Sequence, residues 1–399
     1  MILRGDCLER MREFPDNHFD SVVTDPPYGL NFMGKKWDAD VPSVEVWAEC
    51  LRVLKPGGYL LAFGGSRTYH RLVCRIEDAG FVIHPMLGWI FGTGFPKATR
   101  VDLEGMDGWR YGLQSLKPAL EPICMAQKPM SERTGTANVA RWGTGAVNID
   151  ACRVEWPDGI APSIGTPEWG GPQKKLSAVT GQDGETVERS APSDLGRWPA
   201  NVAHDGSEEV LAEFPDAPGQ QAPISSTAPS DKTSVVYGRM KREGEASANA
   251  ENQGAVGFKM RPGDRRLDIS SAARFFYCAK PTNAERNMGC EHLPKKQSGM
   301  LSETSGQHIT RRDGKAPAPA PNNHPTVKPI ALMRWLCRLV TPTGGLILDP
   351  YCGSGSTLCA ADAEGFQAVG IELDEAFAAI AEARRKAQQP GLQLAFTGT

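Results

Sequence analysis

The sequence predicts an α/β fold in which one sheet flanked by helices is interrupted by a long insertion. Strand-like and helix-like segments alternate from residue 1 to about residue 129, and the same alternation returns after residue 324. Between these two parts the periodicity fades, and Pro, Gly, Ser, Thr and Gln cluster. A single interrupted sheet explains this arrangement better than three independent domains.

The first part has the order βαβα. Residues 19–25 (FDSVVTD) form a short β-branched run that predicts a strand. A helix is predicted from the N-cap Ser43 to the breaker segment KPGG at 55–58. A buried strand, a helix ending at Gly80 and a further strand are predicted for YLLAFGG, SRTYHRLVCRIEDAG and FVIHPMLGWIF. This order is typical of a parallel sheet.

The last part repeats the pattern. The segment ALMRWLCRLV is predicted as a helix, GLILDPY as a strand, and SGSTLCAADAEG as a turn and helix. A strand follows in QAVGIEL, and the final helix, DEAFAAIAEARRKAQQ, begins after the N-cap Asp374.

Composition excludes several classes of protein. With 399 residues, 40% of them hydrophobic, the chain is neither a disordered tail nor a small disulfide-stapled scaffold. A net charge of -3 excludes coating of nucleic acid by bulk charge, but a local basic face remains possible. The ten cysteines form no CxxC pair, which argues against a disulfide framework or a zinc ribbon. No signal segment or long apolar run occurs, so we expect a cytoplasmic protein without a membrane span.

One candidate site is a glycine turn after a strand. The strand that ends at Asp349 runs into a turn containing Gly353 and Gly355 and then into a helix. Glycines allow close backbone approach, and the helix N-terminus offers unpaired N–H groups to a ligand. The next strand ends at Glu372, whose carboxylate suits ribose hydroxyls. Together they predict an adenosine-type ligand; the alternative is a tight strand–helix turn with a surface glutamate.

A second candidate site is the segment TDPPYG, which follows the strand at 19–25. Its two prolines remove two N–H donors and leave carbonyl acceptors beside the carboxylate of Asp25 and the ring of Tyr28. These groups suit the exocyclic amine of a planar heterocycle. The alternative is a proline turn that only ends a strand.

Taken together, these segments resemble the amino-methyltransferases that act on DNA and use S-adenosylmethionine. DPPY at 25–28 resembles the catalytic motif of that family, and DPYCGSGST at 349–357 resembles its cofactor loop. Their order is that of the permuted beta class. HPTVKP at 324–329 is similar to the segment at the cofactor's methionine pocket, and GDCLE at 5–9 to the segment that reaches its adenine. The islands GRWPANVAHDGSEEV and RFFYCAKPTNAERN resemble the phage and prophage branch.

The resemblance implies a Rossmann-like methyltransferase sheet, circularly permuted, with a long inserted target-recognition region. The methyltransferase domain would comprise residues 1–129 and 271–399, with a linker at 297–323, and the target-recognition domain residues 130–270. The implied catalytic residues are Asp25, Pro26, Pro27 and Tyr28. The implied cofactor-binding residues are Asp6, Cys7, Asp25, His324, Thr326, Lys328, Asp349, Tyr351, Cys352, Gly353, Ser354, Gly355, Ser356, Thr357, Glu372 and Leu373.

A local excess of Lys and Arg at 232–296 makes the middle region the candidate for contacts with DNA phosphates and guanine edges. For any single residue, a solvated loop surface is an equally good interpretation. Trp89, Phe91 and Lys97 are candidates for the target pocket, although core packing is the better interpretation of Trp89. The candidate nucleic-acid-binding residues are Arg239, Lys241, Arg242, Arg261, Arg265 and Arg266.

The implied reaction is site-specific methylation of the N6 amine of adenine, in a base flipped out of double-stranded DNA. The Asp at the first position of DPPY favours adenine, and cytosine-N4 is the alternative. Methylation of RNA or of a protein glutamine, and a silent DNA-binding factor, are further alternatives. No metal is required, and we expect a homodimer that methylates without cleaving DNA.

Overall fold

The structure, a computed structural model, describes residues 1–30, 38–94, 96–155, 196–215, 271–279, 283–296 and 318–388. Its strands, numbered β1 to β12 in chain order, are Ile2–Arg4, Phe19–Thr24, Leu54–Phe63, Val82–Ile83, Leu87–Ile90, Lys97–Arg100, Arg110–Gln114, Leu120–Gln127, Val202–His204, Tyr277–Cys278, Leu346–Asp349 and Gln367–Glu372. Its α-helices, numbered α1 to α9, are Cys7–Met11, Val44–Val53, Tyr69–Asp78, Gly135–Trp142, Glu208–Glu213, Asn283–Asn287, Ile330–Val340, Ser356–Ala363 and Glu375–Gln388.

Ten of the described strands form one mixed sheet. Their order is β1-β12-β11-β2-β3-β8-β5-β9-β10, and β4 also pairs with β8. Neighbours from β1 to β3 are parallel, whereas β8 runs antiparallel to both β3 and β5. Strands β6 and β7 form a separate antiparallel hairpin. Because parallel strands end at the same edge, the last residues of β2, β3, β11 and β12 lie along one side of the sheet, which is where open α/β sheets bind ligands.

Helices cover both faces of the central strands. In β2, Val23 packs into one hydrophobic cluster and Val22 into another, as the alternation of side chains along a strand requires. The first cluster contains Trp335 of α7, and the second contains Trp47 of α2. Burial on both faces explains why these strands are continuous hydrophobic runs in the sequence.

The predicted α/β fold is confirmed, but the expectation of a parallel sheet is wrong beyond β3. After β5 the chain forms the β6–β7 hairpin instead of a crossover helix, so it returns as β8 antiparallel to β5. The segment FVIHPMLGWIF forms two strands, β4 and β5, with Pro85 between them, because proline cannot donate a ladder hydrogen bond.

Two helix boundaries also differ in detail. The KPGG segment follows the end of α2 at Val53, but it forms the irregular beginning of β3, where the register with β2 shifts. Ser43 stands at the N-cap of α2 without a side-chain capping bond. Asp374, in contrast, accepts the backbone N–H groups of Ala376 and Phe377 and caps α9 as predicted.

The chain divides into two compact units. The first comprises Met1–Arg153, Trp198–Glu213 and Phe276–Thr399, and it contains every strand and α-helix named above. The second comprises Val154–Arg197 and Phe214–Phe275. The predicted domain boundaries at residues 129 and 270 stay predictions. None of the helices described here is long and apolar enough to cross a membrane.

Candidate active site

The carboxyl ends of β2, β11 and β12 open into a cavity of about 630 Å³. Pockets for small molecules typically measure about 300–1,000 Å³. Strand β2 continues into the DPPY segment and the neighbouring β11 into the glycine turn, so motifs from opposite ends of the sequence meet at this cavity. Within the described part of the chain, no three His, Cys, Asp or Glu side chains are grouped as metal ligands.

The loop that carries DPPY is held by a buried carboxylate. Asp38 accepts the backbone N–H groups of Tyr28 at 2.7 Å, Gly29 at 2.9 Å and Leu30 at 3.2 Å. The hydroxyl of Thr68 donates to the carbonyl oxygen of Tyr28. A carboxylate that accepts several N–H groups fixes a turn strongly because these bonds are charge-assisted. The backbone of Tyr28 is therefore held in place by the side chains of Asp38 and Thr68.

Both carboxylate oxygens of Asp25 accept hydrogen bonds. The hydroxyl of Tyr28 donates to Oδ1 at 2.7 Å, and Nζ of Lys328 donates to Oδ2 at 2.8 Å. Lys328 also donates to the hydroxyl of Tyr28 at 3.1 Å, and its Nζ lies 4.9 Å from the centre of the Phe63 ring. The ring face adds a cation–π contact to the ammonium group. Oδ1 keeps a further lone pair, so it can also accept a hydrogen bond from an amine.

A second carboxylate, that of Glu121 on β8, completes this cluster. Its Oε2 lies 3.3 Å from Nζ of Lys328. Burial raises the pKa of Glu121, and the charge of Lys328 offsets part of that rise. Burial also acts to lower the pKa of Lys328, but the charges of Asp25 and Glu121 outweigh it, so that pKa is raised. The lysine is thus a fixed cation between two acids.

Burial also keeps the hydroxyl of Tyr28 protonated. It raises the pKa of Tyr28 well above the usual value, and the nearby charges of Asp25 and Glu121 raise it further. The hydroxyl therefore remains a hydrogen-bond donor at any physiological pH.

Asp349 joins the ends of β11 and β2. The hydroxyl of Thr24 donates to its Oδ1 at 2.6 Å, and the N–H of Tyr351 donates to the same oxygen at 3.2 Å. Burial raises the pKa of Asp349 to about 6, although the hydrogen bonds from Thr24 and Thr357 oppose the rise. This side chain fixes the start of the glycine turn relative to the DPPY strand.

Gly353 lets the turn pass close to His324. Its φ is +49°, and a Cβ at this position would lie 2.7 Å from Nε2 of His324. Glycine is therefore required both for the backbone conformation and for space. Burial lowers the pKa of His324 to about 4, so its ring is neutral at pH 7. The ring also packs edge-on against Phe377, with centroids 4.6 Å apart.

Glu372 links the glycine turn to β12. Its Oε2 accepts the N–H of Gly353 at 2.9 Å, and its Oε1 accepts the N–H of Asp374 at 2.8 Å. Each carboxylate oxygen has a further lone pair, so the group can also accept hydrogen bonds from hydroxyls. Burial raises the pKa of Glu372, and the two backbone hydrogen bonds oppose that rise.

A fully buried arginine lies behind the glycine turn. Nη1 of Arg384, on α9, donates to the carbonyl oxygen of Ser354 at 2.6 Å and to the hydroxyls of Ser354 at 3.1 Å and Ser356 at 3.2 Å. Its side chain has no exposed surface, and Nη2 has no hydrogen-bond partner among the described residues. Arg384 therefore supports the turn through backbone and hydroxyl groups.

The structure brings nearly all the predicted site residues together. Asp25, Pro26, Pro27 and Tyr28 line the cavity. The predicted cofactor residues line it too, with the exception of Gly355, which serves the turn with φ +77°. Asp6 has a local role as well, since its Oδ1 caps α1 by accepting two backbone N–H groups.

The predicted DNA contacts and the candidates for the target pocket lie outside this cavity or outside the described residues. The six basic residues predicted to contact DNA, which are Arg239, Lys241, Arg242, Arg261, Arg265 and Arg266, lie outside the described residues. Trp89 is buried in the core, as its packing interpretation expects, and stacks on Phe91 with ring centres 5.0 Å apart. Lys97 belongs to β6, and its side chain lies outside the described part of the chain.

Sequence reasoning missed three polar residues of the site: Asp38, Glu121 and Arg384. Asp38 acts on a loop ten residues earlier, Glu121 is an isolated acid at the start of β8, and Arg384 looks like one more basic residue of a surface helix. Only the burial of Arg384 could have been recognised from the sequence, because apolar residues dominate the rest of its face of α9. The other two have no such signal, because only the folded chain brings Asp38 to the DPPY loop and Glu121 to Lys328.

A buried strand-end carboxylate, a glycine turn and a second acid beside one cavity form the arrangement that is typical of α/β enzymes with a nucleoside-containing cofactor. The sequence model of the DNA methylase family that acts at N6 and N4 amines matches residues 19–383. The chain belongs to this DNA methylase family.

Named relatives match parts of the chain. YubD of Escherichia coli (strain K12), which carries the name of a methylase, is 38% identical over 152 residues, 31% of this chain and 66% of its own length. The type II methyltransferase M.BamHI of Bacillus amyloliquefaciens is 34% identical over 73 residues, 16% of each chain. The chain thus spans less than two thirds of the length of these relatives.

Solved structures align over most of the chain at low identity. The complex of M1.HpyAVI with S-adenosylmethionine is 13% identical, covers 96% of this chain and 98% of its own, and gives a TM-score of 0.40. The PvuII DNA methyltransferase, described as cytosine-N4-specific, is 12% identical, covers 96% and 85%, and gives a TM-score of 0.42. Membership of the family rests on the sequence match and not on these scores.

Proposed function

We propose that this chain transfers the methyl group of S-adenosylmethionine to the N6 amine of adenine in duplex DNA. The observation that carries the proposal is the juxtaposition of Asp25 and Asp349 at the ends of neighbouring strands, beside one cavity. One strand leads to an acceptor for the amine and the other to a turn suited to the cofactor.

The residues of the cavity fit S-adenosylmethionine. Glu372 has free lone pairs for ribose hydroxyls, and the glycine turn leaves room for close backbone approach. Neutral His324 and the segment before α7 form the wall assigned to the methionine part. The bound cofactor supplies an activated methyl group on a sulfonium. The chain's own residues have to hold it in line with the amine, and positioning of this kind accounts for most of the rate.

Asp25 and the carbonyl oxygen of Pro26 are the acceptors for the two hydrogens of the target amine. Because the amine lone pair is delocalised into the ring, these acceptors favour a pyramidal nitrogen and stabilise the positive charge that develops on it. Tyr28 donates to Asp25 before the base arrives. The Tyr28 ring, beside this carboxylate, is the candidate to stack on the base.

The target amine is buried in duplex DNA, so the base must rotate out of the stack. The region 130–270, with its basic residues, is our candidate for target recognition and for the contacts that offset this cost. Homodimer formation and action without a partner nuclease belong to the same proposal. Cytosine-N4 is the second candidate acceptor, since the family match covers both amines.

The test is to incubate the protein with unmethylated bacterial DNA and S-adenosylmethionine and to quantify methylated nucleosides by mass spectrometry. We expect N6-methyladenine from the wild type and none from Asp25→Ala. Asp78→Ala, which changes an exposed acid on α3, is the matched control and should retain activity. N4-methylcytosine would reverse the base assignment and keep the mechanism, whereas the absence of any methylated nucleoside would refute the proposal.

A further inference from the structure

Glu121 forms a buried charge cluster with two groups of the active site. Nζ of Lys328 lies 2.8 Å from Oδ2 of Asp25 and 3.3 Å from Oε2 of Glu121. The side chains of Lys328, Asp25 and Glu121 are 6%, 18% and 22% exposed. With both acids ionised, the cluster has two negative charges and one positive charge. The net charge of the cluster around Asp25 is therefore negative.

The second acid matters because Lys328 alone would neutralise Asp25. A carboxylate paired with one buried ammonium is a weaker acceptor for a nitrogen that becomes positive, since the ion pair has no net charge. When two carboxylates share the ammonium, one negative charge remains for the reacting amine. Charge placed in advance where the transition state develops its own is the largest electrostatic contribution in many enzymes.

Glu121 has the placement that such a role requires. It lies at the beginning of β8, opposite Trp89 of β5. Its Oε2 is buried and makes no hydrogen bond of good geometry with the described residues. The ammonium group of Lys328, 3.3 Å away, is the charged partner that this oxygen meets.

We propose that Glu121 is a positioning residue for methyl transfer: it shares Lys328 with Asp25 and so preserves the negative charge of Asp25 for the target amine. This inference rests on the proposed function, because it assumes that an amine binds at Asp25. The charged and titratable groups that face Glu121 are Lys328, Asp25 and Tyr28.

A dependence on pH follows from the same geometry. Burial raises the pKa of Glu121, so this acid takes up a proton at a higher pH than an exposed glutamate does. Protonation of Glu121 leaves Lys328 paired with Asp25 alone. The rate of methyl transfer should therefore fall on the acid side of its pH profile. Glu121→Gln should remove the contribution of Glu121 to this fall and leave that of Asp349, whose pKa is about 6.

The experiment compares single-turnover rates of the wild type, Glu121→Gln, Lys328→Met and the double variant, each saturated with DNA and S-adenosylmethionine. Glu121→Gln keeps the shape of the side chain, and we expect its rate to fall about 10- to 100-fold. The double variant removes one charge of each sign and restores the net charge. We expect it to be faster than Glu121→Gln, which is a non-additive result that simple damage to the fold would not produce.

Measurements of binding separate this inference from its alternatives. The affinity for S-adenosylmethionine should be unchanged in Glu121→Gln. A single-turnover rate within about twofold of the wild type would overturn the inference, as would a double variant no faster than Glu121→Gln. Weaker DNA binding with an unchanged rate would show that Glu121 contacts DNA and would overturn it as well. If the wild type methylates no DNA, the proposed function itself has failed.

Discussion

Replacing Arg384 by methionine should weaken cofactor binding through the glycine turn. Three of its hydrogen bonds end on Ser354 and Ser356, both of which line the cavity. A hydrogen bond from a charged group contributes about 1.5–3 kcal/mol. Removing a buried charge also removes its desolvation cost, which offsets part of this loss. Allowing for this offset, we expect the affinity for S-adenosylmethionine to fall about 10- to 100-fold, equivalent to about 1.4–2.8 kcal/mol.

The neighbouring Arg385 provides a matched control. Its guanidinium makes a bidentate pair with Asp362, at 2.6 Å and 2.7 Å, which joins α9 to α8. Losing these charge-assisted hydrogen bonds should lower the stability of the fold by about 1.5–3 kcal/mol. Arg385→Met should therefore unfold at a lower temperature but bind the cofactor with wild-type affinity.

Calorimetric titration with S-adenosylmethionine and thermal unfolding without it distinguish the two variants. We expect both variants to lose stability and only Arg384→Met to lose affinity for S-adenosylmethionine. Equal losses of affinity would mean that any damage to α9 reaches the cavity. An unchanged affinity in Arg384→Met would mean that the turn keeps its conformation without the arginine.

Two further predictions concern Asp349 and Asp38. The pKa of Asp349 is raised to about 6, so its stabilising contribution is complete below the unfolded value, about pH 4, and is lost as pH rises through 6. Denaturant unfolding should therefore show Asp349→Asn gaining about 3 kcal/mol relative to the wild type between about pH 3 and pH 7. A constant difference would contradict the burial argument. Asp38→Asn weakens the hydrogen bonds to three backbone N–H groups of the DPPY loop. The methylation rate should therefore fall about tenfold, while calorimetry should find the affinity for S-adenosylmethionine within about twofold of the wild type. A normal rate with weakened cofactor binding would contradict this role of Asp38.

The parts predicted from the sequence are those that local chemistry determines. Runs of β-branched and apolar residues predicted the strands β2, β11 and β12, and the glycines at 353 and 355 predicted the turn that follows β11. Asp374 was identifiable as an N-cap because its bonds are to residues two and three positions later. In each case the partners lie within a few residues, so their relation can be read from spacing.

The parts that could not be predicted depend on distant partners. The direction of β8 is set by its pairing with β3 and β5, and no local feature of LEPICMAQ encodes it. Lys328 was assigned to the cofactor pocket from its motif, yet its ammonium group bonds to Asp25, more than three hundred residues earlier. Glu121 meets these two residues only because the antiparallel strand β8 carries it there. The spacing of residues in the sequence could not reveal this contact.

The hydrogen bond between Thr24 and Asp349 spans 325 residues and has a consequence for biosynthesis. Strand β2 leaves the ribosome long before its partner β11 is made. At about 5–20 residues per second, the interval between Asp25 and Glu372 is roughly 20 to 70 s. During that time the apolar edge of β2 has no strand on one side, and closing so long a loop slows its pairing further. The nascent chain therefore passes through an aggregation-prone stage, and its yield in cells should depend on chaperones more than its final stability would suggest.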